Sequence, residues 1–323
     1  MQFYKKRDFG NLIADSLGFV KLYGRNFFKN YLIINGILLI ALVVLFVVGY
    51  RNMFAQILNG NLQGQSYYFE TYFQDNPVML IIGALVFFIL SFGAMMVIYS
   101  FPVLYMKRLS ETGNRNISSD LLLSDLKKNA GKFFIFFFGI LLIMMPLMLA
   151  FFAISSILFF VGFFVIILAM PVFMNVINFT LFDYFHTDKG FFSSLSYAFR
   201  SQFSYSNASE KSPFWKYWGS TIIIYLIVVI ISYIFTLIPM AIFMGVMFTV
   251  PQEGMQDMQN PAAFFEGTMG IVFFLIYGIS LVVMMLISNL LYINSGLSYY
   301  DSRTDLHRKL DLQEIETIGA GEV

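Results

Sequence analysis

The chain contains no cysteine, and its 323 residues include two histidines and eight prolines. The absence of cysteine excludes disulfide bonds, thiolate catalysis, iron–sulfur clusters and cysteine-ligated zinc. His186 and His307 lie in different polar segments, which excludes the paired-histidine motif of zinc proteases. A phosphate-binding loop ending in Gly-Lys-Ser/Thr and a G-x-S-x-G nucleophile motif are also missing. We therefore predict a protein that is not an enzyme and has no cofactor or resident metal.

Charge is scarce and apolar residues are abundant. Only 12% of the residues are charged, 59% are hydrophobic and 40 are phenylalanine, whereas a soluble domain has about 45–50% apolar and about 25% charged residues. This composition is typical of an all-α integral membrane protein. Six spans are predicted at residues 31–50, 78–101, 133–152, 157–181, 220–247 and 271–293, within one membrane domain of residues 1–300 that a charged tail, 301–323, follows.

The third and fourth spans form one uncharged run, and a tight turn near "FFAISSI" is predicted to divide it. A single 50-residue helix would be about 75 Å long, against about 30 Å of hydrocarbon in a bilayer.

The distribution of cations predicts the orientation. Every Lys and Arg except Arg51 precedes span one, follows span six, or lies between spans two and three or four and five. Cytoplasmic segments of membrane proteins are enriched in these residues, so both termini are predicted to be cytoplasmic. The opposite side carries Arg51 and the acidic residues Glu70, Asp75, Glu253, Asp257 and Glu266.

Three similar aromatic–cation clusters, "RNFFKN", "GKFFIF" and "PFWKYW", precede spans one, three and five. Aromatic rings settle at lipid headgroups and lysine stems extend toward phosphates, which makes these clusters candidate interfacial anchors. The anchor residues are Phe27, Phe28, Lys29, Lys132, Phe133, Phe134, Phe214, Trp215 and Lys216.

A segment with helical apolar spacing lies upstream of each cluster, at residues 9–20, 118–130 and 192–203. Ser118 or Ser119 is the expected N-cap of the second segment. We predict three hairpins of spans, each preceded by an amphipathic helix on the cytoplasmic surface. Alternatively, these segments pack on the ends of the spans. The threefold recurrence indicates duplication or a composition common at membrane interfaces.

Polar residues within spans are the usual indicators of function in membranes. Here the strongest candidates are Asn175, Asn178, Asn289 and Asn294, the last just beyond span six. They are expected either to join helices by hydrogen bonds or to line a polar cleft between hairpins.

Two further groups of residues each have a functional and a structural explanation. Asp183, His186 and Asp188 could act as a general base, but the preferred explanation is that they form the polar end of span four. Met255 and Met258 could bind a soft metal, although most of the 19 methionines are expected to serve packing.

The stretches "RDFGNLIADSLGFVKLYGRNFFKNY" and "GFFSSLSYAFRSQFS…PFWKYWG" resemble bacterial multi-pass proteins related to the membrane domain of glycerophosphoryl diester phosphodiesterase. The resemblance implies the same kind of membrane domain and a bacterial inner-membrane location. Only 23 residues follow Tyr300, too few for that family's soluble catalytic barrel, so no phosphodiesterase residue is carried over.

The leading functional hypothesis is a scaffold or accessory subunit that organises lipid or a membrane or cytoplasmic protein partner, without nucleic acid. The alternative is a transporter or lipid-handling permease with the asparagines in its cleft. A membrane-embedded enzyme is the third hypothesis, and only the Asp183 group supports it. The charged tail is either a docking segment or a solvated end.

Overall fold

The computed structural model describes residues 1–62, 77–187, 189–203, 213–249 and 268–319. Over these ranges the chain is helical, without a strand: α1 Phe9–Leu62, α2 Pro77–Thr112, α3 Ser119–Ile157, α4 Phe159–His186, α5 Phe191–Phe203, α6 Pro213–Thr249 and α7 Thr268–Gly319. All of these helices except α5 are long and apolar enough to cross a membrane. The chain is an all-α, multi-pass integral membrane protein, as its composition predicts.

The break between α3 and α4 falls at Leu158, next to the predicted turn. The Leu158 amide donates to the Ser155 carbonyl at 3.0 Å, which closes a tight turn. Stacked rings of Phe133 and Phe185, 4.0 Å apart, and an edge contact of Phe151 with Phe173 place the two helices side by side.

The segments predicted as surface helices differ in the structure. Only the third is a separate helix, α5. The first two are continuous with the following spans in α1 and α3. No proline stands at these junctions, and a lone glycine such as Gly24 or Gly131 is tolerated inside a helix.

Local signals define both ends of the connection between α2 and α3. Gly113 has a φ of 64°, and its amide donates to the Leu109 carbonyl at 3.0 Å, so it ends α2 in the left-handed conformation that glycine adopts without strain. Ser118 caps α3, since its hydroxyl accepts from the Leu121 amide at 3.5 Å. The cap confirms the predicted start of this helix.

The chain divides into two compact units. Unit one contains Met1–Tyr31, Ile98–Val228 and Ser288–Val323, and unit two contains Leu32–Val97 and Val229–Ile287. In unit one, Gly296 of α7 lets the Phe182 ring and Met106 approach the helix backbone. In unit two, Gly278 of α7 contacts Val43 of α1 in the same way. Each unit thus uses a glycine for close helix packing.

The predicted tail does not begin as a separate segment, because α7 continues to Gly319. Asp301 and Ser302, its first residues, are buried. Other predictions concern residues outside the described ranges: Asp188, Met255, Met258 and the acidic residues Glu70, Asp75, Glu253, Asp257 and Glu266.

Candidate functional site

Three of the four candidate asparagines meet inside unit one. Asn175 and Asn178 lie on α4, Asn294 lies on α7, and all three are buried. Thr221 of α6 joins two of them: its hydroxyl donates to Asn175 Oδ1 at 2.9 Å and accepts from Asn294 Nδ2 at 3.1 Å. One hydroxyl thus connects three helices.

Two serines extend this network. The Ser295 hydroxyl donates to Asn175 Oδ1 at 3.3 Å and accepts from Asn178 Nδ2 at 3.1 Å. Ser16 of α1 lies 3.1 Å from Asn294 Oδ1. We call the six residues the asparagine cluster: Ser16, Asn175, Asn178, Thr221, Asn294 and Ser295.

The asparagine cluster has the geometry of interhelical bonding. Its side chains mostly bind one another, and a typical intramolecular hydrogen bond adds about 1 kcal/mol to stability. Within the described part of the chain, Asn175 Nδ2 has no hydrogen-bond partner. Asn289 is also buried on α7, about one and a half turns before Asn294. The hydrogen bonds of the asparagine cluster are made by the other three asparagines.

A second buried network surrounds Asp301 of α7, whose side chain is fully enclosed. The carboxylate accepts from Lys216 Nζ at 2.5 Å, from the Tyr217 hydroxyl at 2.6 Å and from the Arg7 backbone amide at 2.5 Å. We call Arg7, Lys216, Tyr217 and Asp301 the aspartate cluster. A buried carboxylate is stable only when it is paired and hydrogen-bonded, and these three donors satisfy that need.

Arg7 holds the N-terminal residues against unit one. Its guanidinium donates to the Phe3 carbonyl at 2.8 Å, the Gln2 carbonyl at 2.7 Å and the Asp15 carboxylate at 2.9 Å. The ring of Phe3 also makes an edge contact with Tyr300, with centroids 5.1 Å apart. The segment before α1 is therefore packed against α7.

Asp183 and His186 do not form a catalytic pair, because they bind different partners. Asp183 is buried, 3.3 Å from the Tyr299 hydroxyl and 3.9 Å from Arg303 Nη1. His186 Nδ1 lies 2.8 Å from the Phe182 carbonyl, and its Nε2 lies 2.6 Å from the Tyr300 hydroxyl. Asp183 therefore connects α4 to α7. His186 contacts α7 and the preceding turn of its own helix.

The candidate anchors divide into inward and outward rings. Phe27 and Phe133 are buried, and Phe27 packs 5.0 Å from the Tyr105 ring. Phe134 and Trp215 are 51% and 65% exposed. Neighbouring aromatics in one cluster, such as Phe133 and Phe134, thus face opposite ways.

The remaining anchors also differ from one another. Lys29 is exposed, whereas Lys216 belongs to the aspartate cluster. Lys132 is half-buried, with Nζ 5.9 Å from the centre of the Tyr184 ring. Phe28 and Phe214 are half-buried. The lysines of the three similar sequence clusters therefore have three different environments.

Sequence reasoning missed the residues that complete both networks. A signal for Asp301 exists, because "YYDS" places one acidic residue among aromatics beyond the end of span six. No comparable signal marks Ser16, Thr221 or Ser295, since hydroxyl residues are common in membrane helices.

Comparison with protein-family models, with curated proteins and with solved structures finds no match for this chain. Its function is therefore inferred from the contacts of the described side chains.

Proposed function

We propose that this protein is a non-enzymatic scaffold or accessory subunit of a bacterial inner membrane, with both termini in the cytoplasm, that organises lipid or a protein partner. The proposal includes three span hairpins and a relation to the membrane domain of glycerophosphoryl diester phosphodiesterase. The observation that carries it is the orientation of α5, which presents phenylalanines outward.

The outward side of α5 carries three phenylalanines together with Ser193, Ser196 and Arg200. Phe192, Phe199 and Phe203 are 73%, 39% and 45% exposed. The packed side contains Phe191, Ser194, Tyr197, Ala198, Ser201 and Gln202. Removing one phenylalanine side chain from water contributes about 1.5–3 kcal/mol, so this surface favours an apolar environment. A helix that lies in the headgroup region of a bilayer supplies such an environment.

The inner side of α5 is attached specifically. The Tyr197 hydroxyl is hydrogen-bonded to Ser302 at 2.9 Å, and the Phe191 ring packs against Gly139 of α3. The aspartate and asparagine clusters join further helices of unit one. Helices joined in this way can hold the exposed phenylalanines of α5 in place, as a scaffold requires.

The absence of cysteine permits a direct test of α5 placement. Single-cysteine variants F192C and F199C, labelled with a fluorophore in vesicles, are compared with N114C in the exposed connection before α3. Brominated lipid is expected to quench labels at 192 and 199 and to leave the label at 114 bright. Equal quenching at all three positions would reject the interfacial placement.

The scaffold role itself requires a separate measurement. The tagged full chain and a F192S/F199S variant are purified in native lipid discs, and mass spectrometry identifies bound proteins and lipids. We expect a stoichiometric protein, or an enriched lipid class, that the variant retains less well. Identical composition for both samples, without enrichment over the surrounding membrane, would contradict the role.

A permease is the second candidate, because the amide Nδ2 of buried Asn175 has no partner within the described residues. Such a donor is a potential contact for a transported molecule. Replacing Asn175, Asn178, Asn289 and Asn294 by alanine would then remove a small molecule that co-purifies with the wild type. Retention of every co-purifying molecule would count against a cleft at these residues.

A further inference from the structure

A cavity of about 490 Å³ lies between α2 and α3 in unit one. We call it the basic pocket; its lining residues are Leu104, Lys107, Arg108, Glu111, Asp125, Lys128, Asn129 and Lys132. Ligand sites in proteins commonly have volumes of about 300–1,000 Å³. The pocket is at the end of the helices where cations concentrate, the end predicted to face the cytoplasm.

The two carboxylates of the basic pocket are already engaged with cations. Arg108 Nε and Nη2 donate to the two oxygens of Asp125, and Glu111 lies 3.9 Å from Lys107 Nζ. This pairing neutralises two of the four cations. Lys128 and Lys132 remain as the excess positive charge.

These two lysines are available to an anion. Lys128 is exposed and forms no hydrogen bond or ion pair within the part of the chain that is described, and Lys132 makes only the distant contact with the Tyr184 ring. They are four residues apart on α3, so their side chains lie on the same face, one turn apart. Two ammonium groups at this spacing suit an anion with several oxygen acceptors.

We infer that the basic pocket binds the phosphate group of an anionic phospholipid. Basic pockets between membrane helices on the cytoplasmic side are suited to such headgroups. The inference deepens the proposed function by naming a lipid class, and it rests on that function only for the membrane location.

The surface beside the pocket favours a lipid over free phosphate. The face of α3 that carries Lys128 and Lys132 continues with Ile135 and Leu142, at steps of three and seven residues. Ile135 and Leu142 are 55% and 70% exposed. Cations followed by an open apolar stripe match a charged headgroup followed by an acyl chain, and inorganic phosphate would use only the cations.

The test measures binding of short-chain dioctanoyl phosphatidic acid to the full chain in detergent micelles. Dioctanoyl phosphatidylcholine, inorganic phosphate and glycerol 3-phosphate are the comparison ligands. We expect phosphatidic acid to bind at least about tenfold more tightly than each of them. Equal binding of the two lipids would reject recognition of the anionic headgroup, and equal binding of inorganic phosphate would reject the lipid as the source of the phosphate.

Charge-matched variants test the location. K128Q/K132Q is expected to weaken phosphatidic acid binding about tenfold. K21Q/K127Q removes the same charge from exposed lysines outside the pocket and is expected to change binding less than about twofold. K128R/K132R, which keeps both charges, is expected to retain binding. Equal weakening in the two glutamine pairs would overturn the inference in favour of diffuse charge attraction.

The experiments distinguish failure of the α5 placement from failure of lipid binding in the basic pocket. Lost selectivity for phosphatidic acid with quenched labels at 192 and 199 would reject the pocket and leave the α5 placement standing. Unquenched labels together with selective binding in the pocket would reject only the α5 placement.

Discussion

Unit one and unit two each take part of α1, α2, α6 and α7, and they differ in what those helices bury. Unit one encloses two aspartates, an arginine and the asparagine cluster. The unit-two stretches 32–50, 77–97, 229–249 and 268–287 contain no Asp, Glu, Lys or Arg. Buried side chains there include Leu39, Ala94 and Phe274, with Asn35 and Ser280 as polar members.

This difference indicates how each unit is specified. In lipid, apolar side chains gain little by leaving the acyl chains for one another, so helix association depends on close packing and on polar contacts. Unit one has directional contacts between residues far apart in the chain, such as Asp301 with Arg7 and Lys216. In unit two the Thr236 hydroxyl of α6 donates to the Met284 sulfur of α7, a weak acceptor, at 3.7 Å, and the Ser280 hydroxyl donates to the Ile276 carbonyl of its own helix at 3.0 Å.

The largest expected effect comes from the aspartate cluster. D301N removes the charge that pairs with Lys216, and we expect the free energy of unfolding to fall by about 2–4 kcal/mol. The partial exposure of the Lys216 side chain, 22%, keeps the loss below that of a fully buried pair. Unfolding by detergent titration measures it, with D120N at the exposed start of α3 as control. Equal losses in both variants would show that the aspartate cluster contributes no more to stability than an exposed carboxylate does.

The next largest loss of stability is expected at the close helix contact of Gly296. A Cβ added at Gly296 would lie 2.5 Å from Phe182 Cζ and 2.8 Å from Met106 Sδ, and both neighbours are buried. G296A is therefore expected to lower stability by about 1–3 kcal/mol. G131A is the control, because nothing lies within 4 Å of its added Cβ and alanine favours a helix by up to about 1 kcal/mol. Stability unchanged by G296A would show that α7 shifts freely against α2 and α4.

Thr221 tests the asparagine cluster on a smaller scale. T221V keeps the shape of the side chain and removes the hydroxyl that joins Asn175 to Asn294. We expect a loss of about 1 kcal/mol in the same titration, because polar contacts in membranes are worth about this much. N175A combined with T221V should lower the free energy of unfolding by less than the sum of the single losses, since both substitutions remove the same hydrogen bond. Strict additivity would contradict the shared contact.

The smallest effect is expected in unit two. S280A removes a hydroxyl that is bonded within α7, and we expect stability to change by less than about 0.5 kcal/mol. A loss comparable to that of T221V would break the comparison between the units, because unit two would then depend on a polar contact as well.

Features that depend on neighbouring residues follow from the amino-acid sequence alone. Long uncharged runs predict the six apolar helices, because a lipid-exposed backbone must satisfy its hydrogen bonds within a helix. The excessive length of one run predicts the turn that lies at Leu158. Ser118 at the start of α3 is a local capping signal. These predictions are confirmed since each depends on hydropathy, length or a few adjacent side chains.

The direction in which similar motifs face, and the distant residues that meet, follow from the packing of the helices. Phe133 points inward and Phe134 outward although they are adjacent, and Lys216 pairs with Asp301, 85 residues away. The continuity of α1 and α3 through their predicted surface segments likewise depends on more than local propensity. Hydropathy is the same for a ring that meets protein and one that meets lipid, so the choice rests on which helices pack together. That packing alone brings Asn175, Thr221 and Asn294 into contact and places Lys128 and Lys132 beside a pocket.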